Sequence, residues 1–156
     1  MNYSQTDLIF FCGLIEGDGA LWISKENKDG KIVSHAMVAI TNNNLPLLLY
    51  LQEKFDGTIH TKYKIMGEHK HITHQWHLPA KNIEPLLSEA LPLLISKKEV
   101  ARLLIEFRKT VNERGTNPSQ EQKLRRENLY EQYIKLVEIN KKNIVKIKSS
   151  PLSPST

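Results

Sequence analysis

The spacing of apolar residues along the first 78 positions switches twice from a helical to an alternating pattern, and this restricts the chain more than any other feature. Leu8, Ile9, Phe10, Phe11, Leu14 and Ile15 recur at helical spacing behind Asp7, which is suited to cap a helix start, and Gly17 and Gly19 are placed to end it. From Ala20 the period becomes two. Leu21 and Ile23 alternate with Trp22 and Ser24, and Ala36, Val38 and Ile40 alternate with His35, Met37 and Ala39, with Asp29-Gly30 between them as a hairpin turn. Helical spacing returns from about Asn44 to Phe55, where the leucines from 47 to 51 predict a core stripe and Asp56-Gly57 closes the helix. A second pair follows: Ile59, Tyr63 and Ile65 alternate with Thr58, His60, Lys62 and Lys64. After a turn at Met66-Gly67-Glu68, Ile72, Trp76 and Leu78 alternate with His71, Thr73, Gln75 and His77, so Trp76 belongs to the core.

Pro79 ends the second pair, and helices divided near Pro92 are expected from about Ala80 to Glu113. Gly115 to Pro118 reads as a linker, Ser119 to Asn140 as a charged helix, and 149–156 as a disordered Ser/Pro tail. The order predicts an α+β fold: an αββαββα core over about 6–113 with a four-stranded antiparallel sheet, and a C-terminal helical extension over about 118–142, all in one domain spanning 1–148. The second parity of the strands gathers Trp22, Ser24, Glu26, Lys28, His35, Met37, Thr58, His60, Lys62, Lys64, His71, Thr73 and Gln75. Donors, acceptors and cations so mixed suit the base edges of a major groove, though an ordinary solvated sheet face is polar too. Trp22 serves equally as a DNA contact or as edge packing.

Charge sharpens the partner class. The formal net charge is +5, but residues 1–96 carry 8 basic against 10 acidic side chains while residues 97–148 carry 14 against 7. A basic C-terminal third suits a polyanion. Cys12 is the single cysteine, which excludes an intrachain disulfide and a cysteine metal cluster and suits a reducing compartment; it is expected as a buried thiol. The run Leu8–Ile15 lacks a basic leader and is broken by Glu16 and Asp18, so neither a signal peptide nor a membrane span is expected.

The segment Phe11-Cys12-Gly13-Leu14-Ile15-Glu16-Gly17-Asp18-Gly19 carries the chemistry. Two carboxylates at a helix C-terminus meet the negative end of its macrodipole, at a cost of about 0.3–1 kcal/mol. A divalent cation would compensate, because hard ions take carboxylate and carbonyl oxygens together. Gly13 and Gly17 lie one turn apart on a stripe where a second helix could approach closely, and such a partner would bring a second Asp18 near the first.

This segment resembles the LAGLIDADG motif of the homing endonucleases. Gly13, Leu14, Ile15, Asp18 and Gly19 match it, Glu16 is an acidic stand-in and Gly17 a frequent variant, while Phe11 and Cys12 depart from the first two positions. The resemblance implies a homing-endonuclease-like core that acts as a homodimer, its motif helices meeting through Phe10, Gly13, Leu14 and Gly17. It implies Asp18, with the Gly17 carbonyl, as ligands of Mg²⁺, with Mn²⁺ or Ca²⁺ as substitutes in binding. It further implies Lys97, within Leu94-Ile95-Ser96-Lys97-Lys98, as a positive charge at the scissile phosphate and Asn42 as the residue that positions water. The basic residue that often follows this last position is not evident, since Leu45 and Pro46 stand there.

The implied activity is site-specific double-strand cleavage of a long, roughly palindromic DNA, in a prokaryotic cytoplasm or an organelle matrix, from an intron-encoded gene. Non-cleaving relatives of the same fold, an intron RNA maturase or a DNA-binding regulator, are the alternative, and the presence of Asp18 favours cleavage. A metal-binding structural protein would explain Asp18 but not the basic C-terminal third. A zinc site among His35, His60, His69, His71, His74 and His77 is the less suitable reading of the histidines. Parity sets His71 and His77 opposite His74, and no acid or cysteine recurs at ligand spacing.

Overall fold

The computed structural model describes the backbone of residues 1–66, 69–111 and 117–149, with side chains described outside 64–71 and 143–149. Its elements are α1 (Gln5–Asp18), β1 (Gly19–Lys28), β2 (Lys31–Asn42), α2 (Leu45–Phe55), β3 (Thr58–Met66), β4 (His69–His77), α3 (Ala80–Ala90), a 3-10 turn (Leu91–Leu93), α4 (Lys98–Lys109) and α5 (Gln120–Ser149). This is the expected α+β order. The strands form one antiparallel sheet in the order β1-β2-β4-β3.

α1 begins a turn earlier than the sequence suggested. Ser4 caps it, because the Asp7 N–H donates to Ser4 Oγ at 3.2 Å while the Ser4 N–H donates to Asp7 Oδ2 at 2.7 Å. Asp7 is thus the third residue of a capping box rather than the cap. At the other end Gly17 is still helical and Gly19 follows as an extended residue. A Cβ on Gly19 would lie 2.6 Å from the Ile15 Cα, so only glycine lets the chain turn this closely into β1.

The first hairpin turns at Asp29 and Gly30, both with positive φ (54° and 77°), as a two-residue loop between right-twisted strands requires. The second turn includes residues 67 and 68, which lie outside the described residues. α2 is capped by the Asn44 side chain and buries Leu48, Leu51 and Phe55; Leu49, expected in the core, is 49% exposed because the helical period carries it to the outer face. α1 to α4 cover one face of the sheet, and Phe11, Phe55, Trp76 and Phe107 are fully buried between the layers. The rings of Phe11 and Phe55 lie 5.1 Å apart and those of Phe11 and Trp76 6.3 Å apart.

α5 runs past the expected end near Asn140 to Ser149, the residue where a tail was expected to start. No glycine or proline interrupts the chain between Gln120 and Ser150. Residues 150–156, and residues 112–116 of the expected linker region, lie outside the described residues. The first half of α5 docks on the domain: Leu129 is buried, Arg126 donates to the Thr110 carbonyl at 2.6 Å, and Arg125 pairs with Glu106 at 2.8 Å. Lys25, on the helix-facing parity of β1, pairs with Glu127 and lies 4.2 Å over the Tyr130 ring. Among the described residues no helix is long and apolar enough to cross a membrane.

Candidate metal site and nucleic-acid interface

The end of α1 gathers three of the residues singled out in the sequence. Asp18 is exposed, and its Oδ2 accepts from Asn42 Nδ2 at 2.9 Å. Asn42 is the last residue of β2, and its Oδ1 accepts the Asn44 N–H at 2.8 Å, so both ends of its amide are held and Asp18 Oδ2 is fixed in turn. Lys97, just before α4, reaches back with its ammonium to the carbonyls of Ile15, Glu16 (3.1 Å) and Gly19 (2.6 Å). It therefore caps the C-terminus of α1, where a cation is favoured. Burial lowers the pKa of Lys97, against the opposing pull of Glu16 and Asp18.

Glu16 and Ser96 form a second connection, unnoticed in the sequence. The Glu16 carboxylate accepts the N–H groups of Ile95 (2.7 Å), Ser96 (3.2 Å) and Lys97 (3.4 Å), and also the Ser96 hydroxyl. Burial alone would raise its pKa, but these hydrogen bonds outweigh it and hold the carboxyl below the usual glutamate value. No signal within either segment announces a contact across about eighty residues. The glutamate's place in the last turn of a helix was the only clue.

The donors fit a hydrated divalent ion. Asp18 offers a hard, exposed carboxylate, and Lys97 leaves the Gly17 carbonyl aside. Among the described residues no three His, Cys, Asp or Glu side chains converge. The described residues of one chain thus offer one carboxylate and no closed cage, a set that a hydrated divalent ion could complete with water or phosphate oxygens. Of the histidines with described side chains, His74 bonds Thr61 at 2.9 Å on the helix side, whereas His60 and His77 sit on the other face; the side chains of His69 and His71 lie outside the described residues.

The register puts the sheet-face residues together. Trp22 lies opposite Met37, Ser24 opposite His35, Glu26 opposite Val33 and Lys28 opposite Lys31; Thr58 faces His77, His60 faces Gln75 and Lys62 faces Thr73. Lys64 and His71 are paired in the same register, with side chains outside the described residues. Partners directly opposite share a face, so the expected residues with described side chains occupy the side away from the helices. His77 was missing from it, although its parity marked it. Its ring meets Trp22 at 6.4 Å and His60 at 5.4 Å. Trp22, half-buried, thus packs against a neighbour and still belongs to the polar face.

The α1 stripe is also laid open. A Cβ on Gly13 or Gly17 would meet nothing within 4 Å, and Ile9 and Phe10 are 56% and 43% exposed. Leu14, the remaining expected interface residue, is half-buried. Phe10 leans its edge on Tyr50 at 5.5 Å, so α2 borders the stripe on one side.

No family model matches the sequence, and no curated protein is similar to it at the sequence level. Solved structures are similar to it in fold. The archaeal intron-encoded homing endonuclease I-Vdi141I, complexed with DNA, superposes with a TM-score of 0.69 at 16% identity, over 84% of this chain and 84% of that one. The homing endonuclease I-CvuI, in complex with its target in the presence of calcium, gives 0.67 at 13% identity over 97% and 87%. The LAGLIDADG homing endonuclease I-LtrWI, bound to target DNA, gives 0.57 at 17% identity over 83% of this chain but 45% of its own. The αββαββα arrangement with α1 ending on Asp18, taken with these superpositions, identifies the fold of this chain as that of the LAGLIDADG homing endonucleases.

Proposed function

We propose that the chain is a homodimeric, metal-dependent DNA endonuclease that cuts both strands of a long, roughly palindromic site. The observation that carries the reading is the end of α1: an exposed Asp18 oriented by Asn42, with the Lys97 ammonium on the adjoining carbonyls and β1 starting at the next residue. Solved neighbours of the same fold are DNA complexes, which supports a duplex as partner. Calcium in one of them agrees with divalent-metal use. A divalent ion, when bound, would supply Lewis acidity for phosphodiester hydrolysis.

The chain's own residues have separate tasks. Asp18 would hold the ion, with the Gly17 carbonyl as a further oxygen donor. Asn42 keeps one carboxylate oxygen engaged and leaves the other available as a ligand, and Lys97 would add positive charge where negative charge develops on the phosphate. The polar face of the sheet reads the major groove. Dimerisation through the open stripe of α1 supplies the second Asp18. The match to less than half of the longer I-LtrWI chain supports two copies of this fold in the working unit. With such a target the protein would act inside cells, in a prokaryotic cytoplasm or an organelle matrix.

Incubation with Mg²⁺ and a randomised duplex library, followed by sequencing of the ends produced, tests this reading. Defined double-strand ends at one recurring site are expected. Asp18→Asn should reduce cleavage by at least about 10³-fold while specific binding persists, because the substitution removes metal-held charge and little else. Selective retention of one site with no cut ends by the wild type would point to a non-cleaving binder, and cutting by the Asp18→Asn variant would overturn the site.

A further inference from the structure

Two helix ends meet beside Asp18, and each supplies the other's counter-charge. α1 ends in free carbonyls, and Lys97, the residue before α4, donates its ammonium to those of Ile15, Glu16 and Gly19. The approach to α4 exposes N–H groups, and Glu16 of α1 accepts those of Ile95, Ser96 and Lys97 together with the Ser96 hydroxyl. The exchange matches the macrodipoles at both ends. Packing does not explain the position of this loop: Ile95 is 87% exposed and Ser96 is exposed.

Leu94 is buried at the loop's start, and the Lys97 carbonyl accepts the Ala101 N–H in the first turn of α4, which leaves Ile95 and Ser96 between them free to shift, and the Lys97 backbone with them to turn, unless these N–H groups are tied. A long lysine side chain carries substantial rotamer freedom of its own. Fixing its backbone by three N–H groups and closing its ammonium onto three carbonyls removes that freedom at one point beside the metal-site aspartate.

We propose that Glu16 is a positioning residue: it acts on cleavage through Lys97, by clamping the Ile95–Lys97 loop to the end of α1. This inference rests on the nuclease reading above and assigns Glu16 no contact with metal or DNA. Loss of the clamp lets the ammonium drift from the α1 carbonyls beside Asp18, and displacement of a reacting-site group by about 1 Å costs on the order of 10²-fold.

The test is a double-mutant cycle on the duplex recovered from the library, with Glu16→Gln, Lys97→Ala and both together. Glu16→Gln should lower the rate constant at saturating DNA by about 10- to 100-fold with little change in affinity, and should add less than about twofold on the Lys97→Ala background. Losses that multiply in the double variant would show that Glu16 acts independently and would overturn the proposal. Amide hydrogen exchange supplies a readout separate from cleavage: Ile95, Ser96 and Lys97 should exchange faster in Glu16→Gln, and unchanged protection there would also refute the clamp. Should Glu16→Gln fail to fold, Ser96→Ala, which removes one hydroxyl contact, replaces it in the same cycle with a smaller loss. A wild type that cuts nothing sinks the nuclease reading and this role with it, whereas a cutting wild type with additive losses sinks this role alone.

Discussion

Gly57 and Gly13 are chemically the same residue under opposite constraints. Gly57 follows α2 with φ +117°, and a Cβ there would come within 2.5 Å of the His77 carbonyl oxygen and of Trp76 Nε1. The Trp76 indole is held in place by its hydrogen bond to the Asp56 carbonyl at 2.9 Å, so nothing yields to the added methyl. Gly57→Ala should therefore lower the unfolding free energy by about 1–3 kcal/mol, measured by urea denaturation. His77 itself offers a second residue-scale prediction. Burial first, and then the neighbouring His60 and Lys62, hold its pKa below 6.5. A depressed value means that the folded protein binds this proton less readily than the unfolded chain. The associated stability is present above pH 6.5 and is lost as pH falls through the lower folded value. An NMR titration should find its midpoint below 6.5, and Lys62→Gln should raise it.

Among the elements, α1 is apolar on nearly every side, and each side has a different neighbour. Leu8, Phe11, Cys12 and Ile15 enter the core, while Ile9, Phe10, Gly13 and Gly17 remain at the surface. The strands were legible from their period, because one buried face per sheet forces strict alternation. The start of α1 was misjudged because Asp7 caps well in isolation and the pairing with Ser4 appears only once the turn closes. Asp18, Asn42 and Lys97 could be named from motif resemblance, but the Glu16 clamp is a long-range contact that no local pattern encodes. In α5 the apolar positions that dock, Leu129 with Tyr130 and Tyr133 packed beside it, stand among many charged ones. If this helix is an integral layer of the fold, Leu129→Ala should cost about 2 kcal/mol or more in unfolding free energy, seen as a lowered urea midpoint at unchanged slope.

For the whole molecule, the decisive quantity is self-association. Gly13→Ala puts a methyl where this chain alone has open space, so in the isolated subunit it should be neutral to stabilising by up to about 1 kcal/mol through helix propensity. In a dimer joined along that stripe the same methyl separates the helices. Sedimentation equilibrium should then show a raised dimer dissociation constant for a variant whose monomer is no less stable; an unchanged constant would locate the interface elsewhere.

The sheet itself is joined unevenly. β1 and β2 pair from Gly19↔Ile40 out to Lys28↔Lys31, and β3 and β4 from Thr58↔His77 to Met66↔His69, but β2 meets β4 only from Ala39↔His77 to Asn42↔His74. The two ribbons share a root and then part company. Near the root β2 and β4 are each paired on both sides, whereas farther out each is paired on one side only. A surface of this kind holds its inner register tightly and lets its outer reach conform to whatever lies against it, so tolerance for imperfect fit should grow with distance from the root.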